Sequence, residues 1–390
     1  PHEILKGKLL GQIKKDELAE LHLNELWDDS IQAINFKSID EVDEFFMYYL
    51  RAKYAQTKSE AGKFDIRNYH RTIFNIEQLD LERNDVNIKA FLQTEFKYYT
   101  QLYKRILGHF HEYNEDYRHI YFNSLTEMDS QFLLILSSCT VDDENEAKKM
   151  QIISQEVDKF YALTQLQRNW DSNKFAEYVY QISEKIRDKD IEEIKEIFSF
   201  HLKKFLSERR ESETKSEFSY SLFQSADISL NKKFIRYFFM RIEKFISDNS
   251  SINMKHDLDD LVRNTGSKNG FHIEHILSYN QENLALFGND EEKFENTRNK
   301  LGGLLLLKGK DNISSSNESY AKKLQTYANT LYWNETLRED TYKSKLDFRN
   351  LSTNFQLKFT PYDTFGKNEL EERHELLFNI SKIIWRVQNA

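Results

Sequence analysis

Two adjacent residues, Glu274 and His275, have side chains suited to hydrolysing a phosphodiester bond. They lie in the sequence GFHIEHILSYN, which begins at Gly270. A neutral histidine can take a proton from water, and a carboxylate can hold a divalent cation that neutralises phosphate charge. Successive side chains of a strand point to opposite faces, so both residues can act together only where the strand ends or bends. Taken alone, the pair is equally consistent with a surface strand.

The sequence around this pair predicts the elements that position it. The alternating run 271–277 predicts one strand, and the apolar run 304–307, which lies between glycines, predicts a second and buried strand. An acidic loop reaching to about residue 296 would connect them, and the two strands would pair antiparallel. Apolar spacing over 316–327 predicts a helix after the second strand. The predicted order is strand, loop, strand, helix.

Two asparagines extend the predicted site to the other side of the hairpin. Asn312 and Asn317 lie just before and at the start of the predicted helix. Asparagine side-chain oxygens are hard ligands that suit magnesium or manganese. The sequence therefore predicts a Mg²⁺ or Mn²⁺ ion held by Glu274 with these asparagines. His272 also permits a zinc interpretation, but no clear third ligand accompanies it, and a supporting or surface role is favoured.

The rest of the chain predicts a helical body. Residues 109–265 contain neither proline nor glycine, whereas seven of the 11 glycines follow residue 265. A stretch that long without a helix breaker, rich in Glu, Lys, Leu, Ile and Phe, is typical of packed helices. Apolar residues recur at helical spacing over 190–206 and 230–246. Further helices are predicted over 16–33, 40–54, 87–107, 124–138, 144–166, 173–187 and 257–263.

Composition predicts two domains and a mainly α fold. Residues 266–390 carry 17 basic and 17 acidic side chains, so the formal net charge of -9 lies on residues 1–265. The change in glycine content falls at the same place. We expect a helical domain over 1–265 and a second domain, with the candidate site, over 266–390. An acidic body is a poor general binder of nucleic acid, because like charge repels phosphate.

Several classes of protein are disfavoured. The single cysteine, Cys139, cannot form an intramolecular disulfide or a cysteine-ligated zinc site. No run approaches the roughly 18 uncharged apolar residues of a membrane span. Residues 1–10 do not resemble a signal sequence, so a cytoplasmic setting is expected. A first residue other than Met indicates a fragment of a longer protein.

The motifs HIEHILSYN and NKLGGLLLL, followed by DN, SN and AKK, resemble a known family. They are similar to the C-terminal nuclease domain of GmrSD-type modification-dependent restriction endonucleases, a branch of the His-Me finger (HNH, ββα-metal) nucleases. The motif-bearing part covers about 270–330, and a looser likeness to the family's closing helix extends over 369–385. Two positions depart from the family pattern: its proline is Ser278 here, and its second asparagine is Gly303.

The resemblance implies a role for each candidate residue. Glu274 would be the acid on the metal side and His275 the general base. Asn299 would stabilise the loop. The remaining three would lie at the metal and the phosphate: Asn312, Asn317 and, as a phosphate contact, Lys322.

The resemblance also implies partners. The opening PHEILKGKLL looks like the helix that follows the family's amino-terminal nucleotide-binding domain. That domain normally contains a DGQQR motif, and neither this string nor a GxxxxGK[ST] loop occurs here. We therefore expect this domain or subunit as a partner absent from the chain, together with modified or foreign DNA.

Three functions follow from these observations. The first is a metal-dependent DNA endonuclease module of an anti-phage restriction system. The second is a non-catalytic helical module that binds a partner and whose nuclease-like part is degenerate, which the acidic body favours. The third is a nuclease directed at RNA, since sites of this kind cut either polymer.

Overall fold

The computed structural model describes residues 1–35, 37–38, 40–250, 252–315, 317–344 and 346–387. Helices dominate these residues, which confirms the predicted mainly α fold. Two strands form one sheet within the same residues. No helix among them has the length and hydropathy needed to cross a membrane.

The first compact unit comprises Pro1–Phe160 and Asp171–Phe205. Its interior is aromatic: the ring centroids of Trp27 and Phe96 lie 4.8 Å apart, and those of Phe46 and Phe96 lie 5.8 Å apart. The helices of this unit are His2–Leu10, Lys15–Glu20, Leu23–Ile34, Asp40–Tyr54, Lys58–Ala61, Tyr69–Thr72, Asp85–Phe91, Lys97–His111, Arg118–Thr126, Ser130–Ser138 and Ser172–Lys185. A 3₁₀ turn, Ile73–Asn75, and a π-helical turn, Leu92–Phe96, complete the set.

The second compact unit comprises Tyr161–Trp170 and Leu206–Ala390. Helices Glu146–Leu166 and Ile191–Arg210 begin in the first unit and end in this one. The composition boundary predicted near residue 265 falls inside this unit. Its further helices are Tyr220–Phe223, Lys232–Asp248, Leu258–Arg263, Gln281–Ala285, Glu291–Arg298, Gly309–Ser315, Tyr320–Thr326, Tyr332–Glu335, Glu339–Ser344, Leu346–Phe355 and Lys367–Ile384, with a 3₁₀ turn at Leu301–Gly303.

The sheet of the second unit is the predicted antiparallel hairpin. Strand β1, Phe271–His275, pairs with strand β2, Leu304–Lys308, in a register that sets His275 opposite Leu304. The four leucines of β2 are buried, as expected for an apolar run between glycines. His275 is the last residue of β1, so the candidate base lies at the end of the strand, where the predicted chemistry requires it.

The turn before β2 is packed so closely that only glycine fits. A Cβ atom at Gly302 would lie 2.4 Å from the carbonyl oxygen of Leu370, in helix Lys367–Ile384. At Gly303 it would lie 2.5 Å from the carbonyl oxygen of Arg298. The asparagine that the family pattern places at position 303 would therefore require the backbone to move. The glycine is part of this local packing.

Most of the predicted helices are confirmed, and four regions differ. The predicted helix 124–138 is divided between Arg118–Thr126 and Ser130–Ser138, because Glu127 adopts a left-handed backbone (φ 61°) between them. Residues 16–33 form two helices, because His22 adopts a left-handed backbone (φ 50°) between them. The connection predicted as an acidic loop contains helices Gln281–Ala285 and Glu291–Arg298. Of the predicted helix 316–327, residue 316 lies outside the described residues, and within 317–327 the helix begins only at Tyr320. An earlier helix already follows β2 at Gly309.

Candidate functional site

The candidate site lies where β1 ends, next to the C-terminal end of helix Glu291–Arg298. Asp290 caps this helix by accepting a hydrogen bond from the backbone N–H of Lys293, and Asn299 ends it. The backbone of Asn299 is fixed from outside, because its carbonyl oxygen accepts the N–H of Ile228 at 2.9 Å. The helix and this bridge together carry Asn299 to the end of the strand.

His275 and Asn299, both predicted site residues, are in direct contact. Nε2 of His275 lies 2.7 Å from Oδ1 of Asn299. An amide oxygen only accepts, so Nε2 carries the ring proton and Nδ1 keeps its lone pair. Within the described part of the chain no hydrogen bond to Nδ1 is found, and the half-buried side chain leaves it within reach of water.

The surroundings of His275 keep its ring uncharged. Burial, reinforced by the positive charge of Arg298, lowers the pKa of His275 to about 4. The imidazole is therefore neutral at physiological pH and has a lone pair available to accept a proton. This is the protonation state that a general base needs.

The carboxylate of Glu274 is paired with a lysine. Its Oε1 lies 2.5 Å from Nζ of Lys323, and both side chains are almost fully buried. The same ammonium donates to the carbonyl oxygen of His275 at 2.6 Å. Burial raises the pKa of Glu274 and lowers that of Lys323, in each case against the effect of the partner's charge. The pair ties helix Tyr320–Thr326 to the end of β1.

The other predicted residues lie on the segment after β2. Asn312 is half-buried within helix Gly309–Ser315, which follows the strand directly, and not before a helix as expected. Asn317 is exposed in the turn that precedes helix Tyr320–Thr326, and Lys322 is exposed on that helix. Of the two adjacent lysines, the structure brings Lys323 and not Lys322 to Glu274.

The side chains around Glu274 do not form an evident binding site for the predicted cation within the described residues. Within the described ranges, no group of three or more His, Cys, Asp and Glu side chains is arranged to hold a metal ion. Glu274 is a hard oxygen donor, but the ammonium of Lys323 already lies against one of its oxygens. A cation at this carboxylate would have to displace that ammonium, so Glu274 as placed does not fit a bound divalent ion.

Two residues near the site were missed from the sequence, although a signal for each was present. Lys323 stands three residues after Tyr320 and four before Tyr327, which places it on the apolar side of its helix. Glu295 stands four residues before Asn299 and accepts a hydrogen bond from its Nδ2 at 3.1 Å. That spacing could have been recognised had a helix, and not a loop, been predicted there.

The remaining predicted positions have structural partners. Ser278, where the family has proline, is buried, and its hydroxyl donates to the carbonyl oxygen of Glu318 at 3.3 Å. His272 lies with its Nε2 3.3 Å from the carbonyl oxygen of Gly266. These contacts hold the ends of the hairpin, which agrees with a supporting role for His272.

Comparison with protein families gives one match, to the description "GmrSD restriction endonucleases, C-terminal domain", over residues 212–380. Comparisons with curated proteins and with solved structures give no match. The matched range contains the hairpin, His275, Asn299 and helix Lys367–Ile384 up to its last turn. Residues 212–380 are therefore similar to the C-terminal domain of GmrSD restriction endonucleases.

Proposed function

We propose that residues 206–390 hydrolyse phosphodiester bonds of DNA with His275 as the general base, as the endonuclease module of an anti-phage restriction system. The observation that carries the proposal is the contact between His275 and Asn299 at the end of β1. It leaves Nδ1 of a neutral imidazole unbonded within the described residues. The family match supplies the class of substrate.

The proposed step uses groups of this chain. Nδ1 of His275 takes a proton from water as the water oxygen attacks the phosphorus atom. The bond between phosphorus and the leaving oxygen breaks, and the departing strand end takes up a proton from solvent. Asn299 stabilises the imidazolium that forms, because its Oδ1 accepts a hydrogen bond from Nε2–H throughout. The exposed Lys322 is proposed to contact a phosphate of the bound strand.

We propose a His-Me finger core for this module. The hairpin of β1 and β2 is followed at once by helix Gly309–Ser315, which gives the order strand, strand, helix. The candidate base stands at the end of the first strand. This arrangement supports an HNH-type assignment.

A requirement for Mg²⁺ or Mn²⁺ remains a proposal that rests on the resemblance. Such an ion would supply positive charge at the scissile phosphate. Because Lys323 already neutralises Glu274, such an ion would not be held at that carboxylate. Asn312 and Asn317 remain its proposed amide ligands, each on the segment between β2 and helix Tyr320–Thr326.

The proposed partners are modified or foreign DNA and an amino-terminal nucleotide-binding domain or subunit. Without that partner we expect weak binding of unmodified DNA, because the net charge of -9 lies on residues 1–265. Such binding should fall steeply with salt. We also expect that this chain alone does not hydrolyse GTP or ATP.

One observation favours the non-catalytic alternative. The ammonium of Lys323 lies beside Glu274, where the sequence predicts a cation. A nuclease-like site that has lost its metal ion would have such an ion pair. In that case the domain would bind a partner through its helices and would not cut DNA. The retained contact between His275 and Asn299 favours catalysis instead.

A cleavage assay separates these functions. The purified chain is incubated with supercoiled plasmid, with plasmid methylated in vitro and with a structureless RNA, each in Mg²⁺, Mn²⁺ or EDTA. We expect nicked or linear DNA with a metal ion, and none with EDTA or with His275→Ala. The matched control is His272→Ala, on the same strand. Cleavage of RNA alone would establish the third function, and no cleavage by folded wild-type protein of any substrate would support the second.

A further inference from the structure

The carboxylate of Glu295 lies directly behind the asparagine that binds the candidate base. Oε2 of Glu295 accepts a hydrogen bond from Nδ2 of Asn299 at 3.1 Å, and Oδ1 of the same amide contacts Nε2 of His275 at 2.7 Å. Glu295 and Asn299 are four residues apart at the end of one helix, so their side chains share a face. The three groups form a chain from carboxylate to amide to imidazole.

This chain matters because an amide can face a histidine in two ways. With its oxygen toward the ring, the amide accepts a hydrogen bond from Nε2–H and leaves Nδ1 as the base. With its NH₂ group toward the ring, it donates to Nε2 and favours the tautomer in which Nδ1 carries the proton. An ionised carboxylate only accepts hydrogen bonds, so Glu295 can bind only the NH₂ end of the amide.

The position of Glu295 is itself fixed. Nε of Arg298 donates to Oε1 of Glu295 at 2.8 Å. Nη1 of the same guanidinium donates to the carbonyl oxygen of Leu277 at 3.0 Å, two residues beyond the base. One oxygen of the carboxylate is therefore held by Arg298, and the other remains for Asn299.

We propose that Glu295 is a positioning residue for the general base. By orienting the amide of Asn299, it selects the Nε2–H tautomer of His275 and directs the lone pair of Nδ1 toward water. Glu295 does not touch the substrate. This inference rests on the proposed function for its effect on cleavage, but its effect on the tautomer can be measured without any cleavage.

The test compares three variants of the full chain with the wild type. Glu295→Ala removes the acceptor, whereas Glu295→Gln keeps an amide oxygen that can still bind Nδ2. Glu291→Ala is the matched control, since it removes the same charge from an exposed position of the same helix. The first readout is a long-range ¹H–¹⁵N NMR correlation of the imidazole nitrogens, with the signals of His275 assigned by their loss in His275→Ala.

We expect the wild type, Glu295→Gln and Glu291→Ala to show His275 protonated on Nε2, and Glu295→Ala to show a mixture of tautomers. In the plasmid assay, Glu295→Ala should lower kcat by about two- to tenfold, the size of one lost hydrogen bond, and should leave KM unchanged. A pure Nε2–H tautomer in folded Glu295→Ala would overturn the proposal. If the wild type does not cut DNA, the proposed function fails, yet the NMR measurement still decides this one.

Experiments on the variant Asn299→Asp keep the proposal testable if Glu295→Ala does not fold. In Asn299→Asp, the side chain has two acceptors and no NH₂ group that could turn toward the ring. The ring should therefore stay protonated on Nε2, with Glu295 present or replaced by Gln. A shift of tautomer on adding Glu295→Gln to Asn299→Asp would show that Glu295 acts on the ring by another route, and would overturn the proposal.

Discussion

Two histidines of the second unit, the half-buried His275 and the buried His374, have the same lowered pKa. They differ in the hydrogen bonds that their ring nitrogens make. Burial lowers the pKa of both His275 and His374 to about 4. His374 uses both ring nitrogens on the backbone: Nδ1 accepts the N–H of Gly302 at 3.1 Å, and Nε2 donates to the carbonyl oxygen of Phe223 at 3.1 Å. His275 is bound at Nε2 alone within the described residues.

Because both histidines have the same lowered pKa, a shifted pKa does not by itself identify a catalytic group. Perturbed titration is found both at functional sites and in structural networks. His374 is buried against the glycine turn before β2, and its two hydrogen bonds join three segments of the chain. Within the described residues, Nδ1 of His275 has no hydrogen-bond partner, so it can contact water. The available Nδ1 atom, and not the lowered pKa, identifies His275 as the candidate base.

The most direct test of this difference is to remove the imidazole of His275. His275→Ala should lower the cleavage rate on the order of 10²–10⁴-fold, because it removes the proton acceptor. The half-buried ring packs little core, so the melting temperature should change by only a few degrees. Plasmid cleavage and calorimetry on the same samples measure both quantities. His272→Ala should affect cleavage much less; a larger loss there would reassign the base.

The next largest effect is expected at the buried ion pair beside the base. Lys323→Met should lower the free energy of unfolding by about 3–5 kcal/mol, because it leaves the buried carboxylate of Glu274 without a counter-charge. The double variant Glu274→Leu with Lys323→Met should recover most of that loss, since it leaves no buried charge unpaired. Urea unfolding of the two singles and the double gives the coupling energy.

The same double variant tests whether Glu274 is needed to hold a divalent cation. A folded double variant that still cuts plasmid with Mg²⁺ would show that Glu274 is not an essential metal ligand. Loss of cleavage with intact stability would show that the carboxylate serves the reaction as well as the fold, as the family resemblance implies. Lys323 alone cannot distinguish these outcomes, because its removal destabilises the protein.

The sequence predicted the hairpin well, because its signals are local. A glycine-flanked run of four leucines at 304–307 can hardly be anything but a buried strand, and it pairs with residues 271–275 of the predicted strand 271–277. The strand ends at His275, two residues earlier than predicted. The helix of Lys232–Asp248 was equally clear from its apolar spacing, and the structure shows it capped by Asn231. The partners of the site residues were harder to predict, since they depend on which helix face turns inward.

The choice between two adjacent lysines shows this limit. Residues next to each other on a helix point about 100° apart, so only one of Lys322 and Lys323 can face the hairpin. The sequence interpretation selected Lys322 from the resemblance, whereas the structure buries Lys323. The helix containing Glu295 was missed because its composition, rich in Glu, Asn and Asp, resembles that of a loop.

The structural histidine should govern stability against pH. The folded pKa of His374, about 4, lies below its unfolded value of about 6.5, so the unfolded chain binds the proton first. Stability contributed by the neutral ring is present above about pH 6.5 and is lost as the pH falls toward 4, by about 3 kcal/mol in total. Urea unfolding at pH 7 and pH 4.5 measures this loss.

The variant His374→Asn provides the control. Its side-chain oxygen can replace Nδ1 as acceptor for Gly302 but does not titrate in this range. The difference in stability between the two pH values should therefore be smaller than in the wild type. An unchanged difference would mean that other groups, and not His374, cause the acid destabilisation.

The smallest effect is expected at the exposed lysine. Lys322→Ala should leave the free energy of unfolding within about 0.5 kcal/mol of the wild-type value, because the side chain is exposed to water. If it contacts a phosphate, cleavage should fall only a few-fold, through KM, and the dependence of log Kd on log salt should lose about one unit of slope. Fluorescence anisotropy with a labelled duplex over a salt series measures this slope. A loss of cleavage as large as that of His275→Ala would instead place Lys322 at the reacting phosphate, and the roles of the two neighbouring lysines would have to be assigned anew.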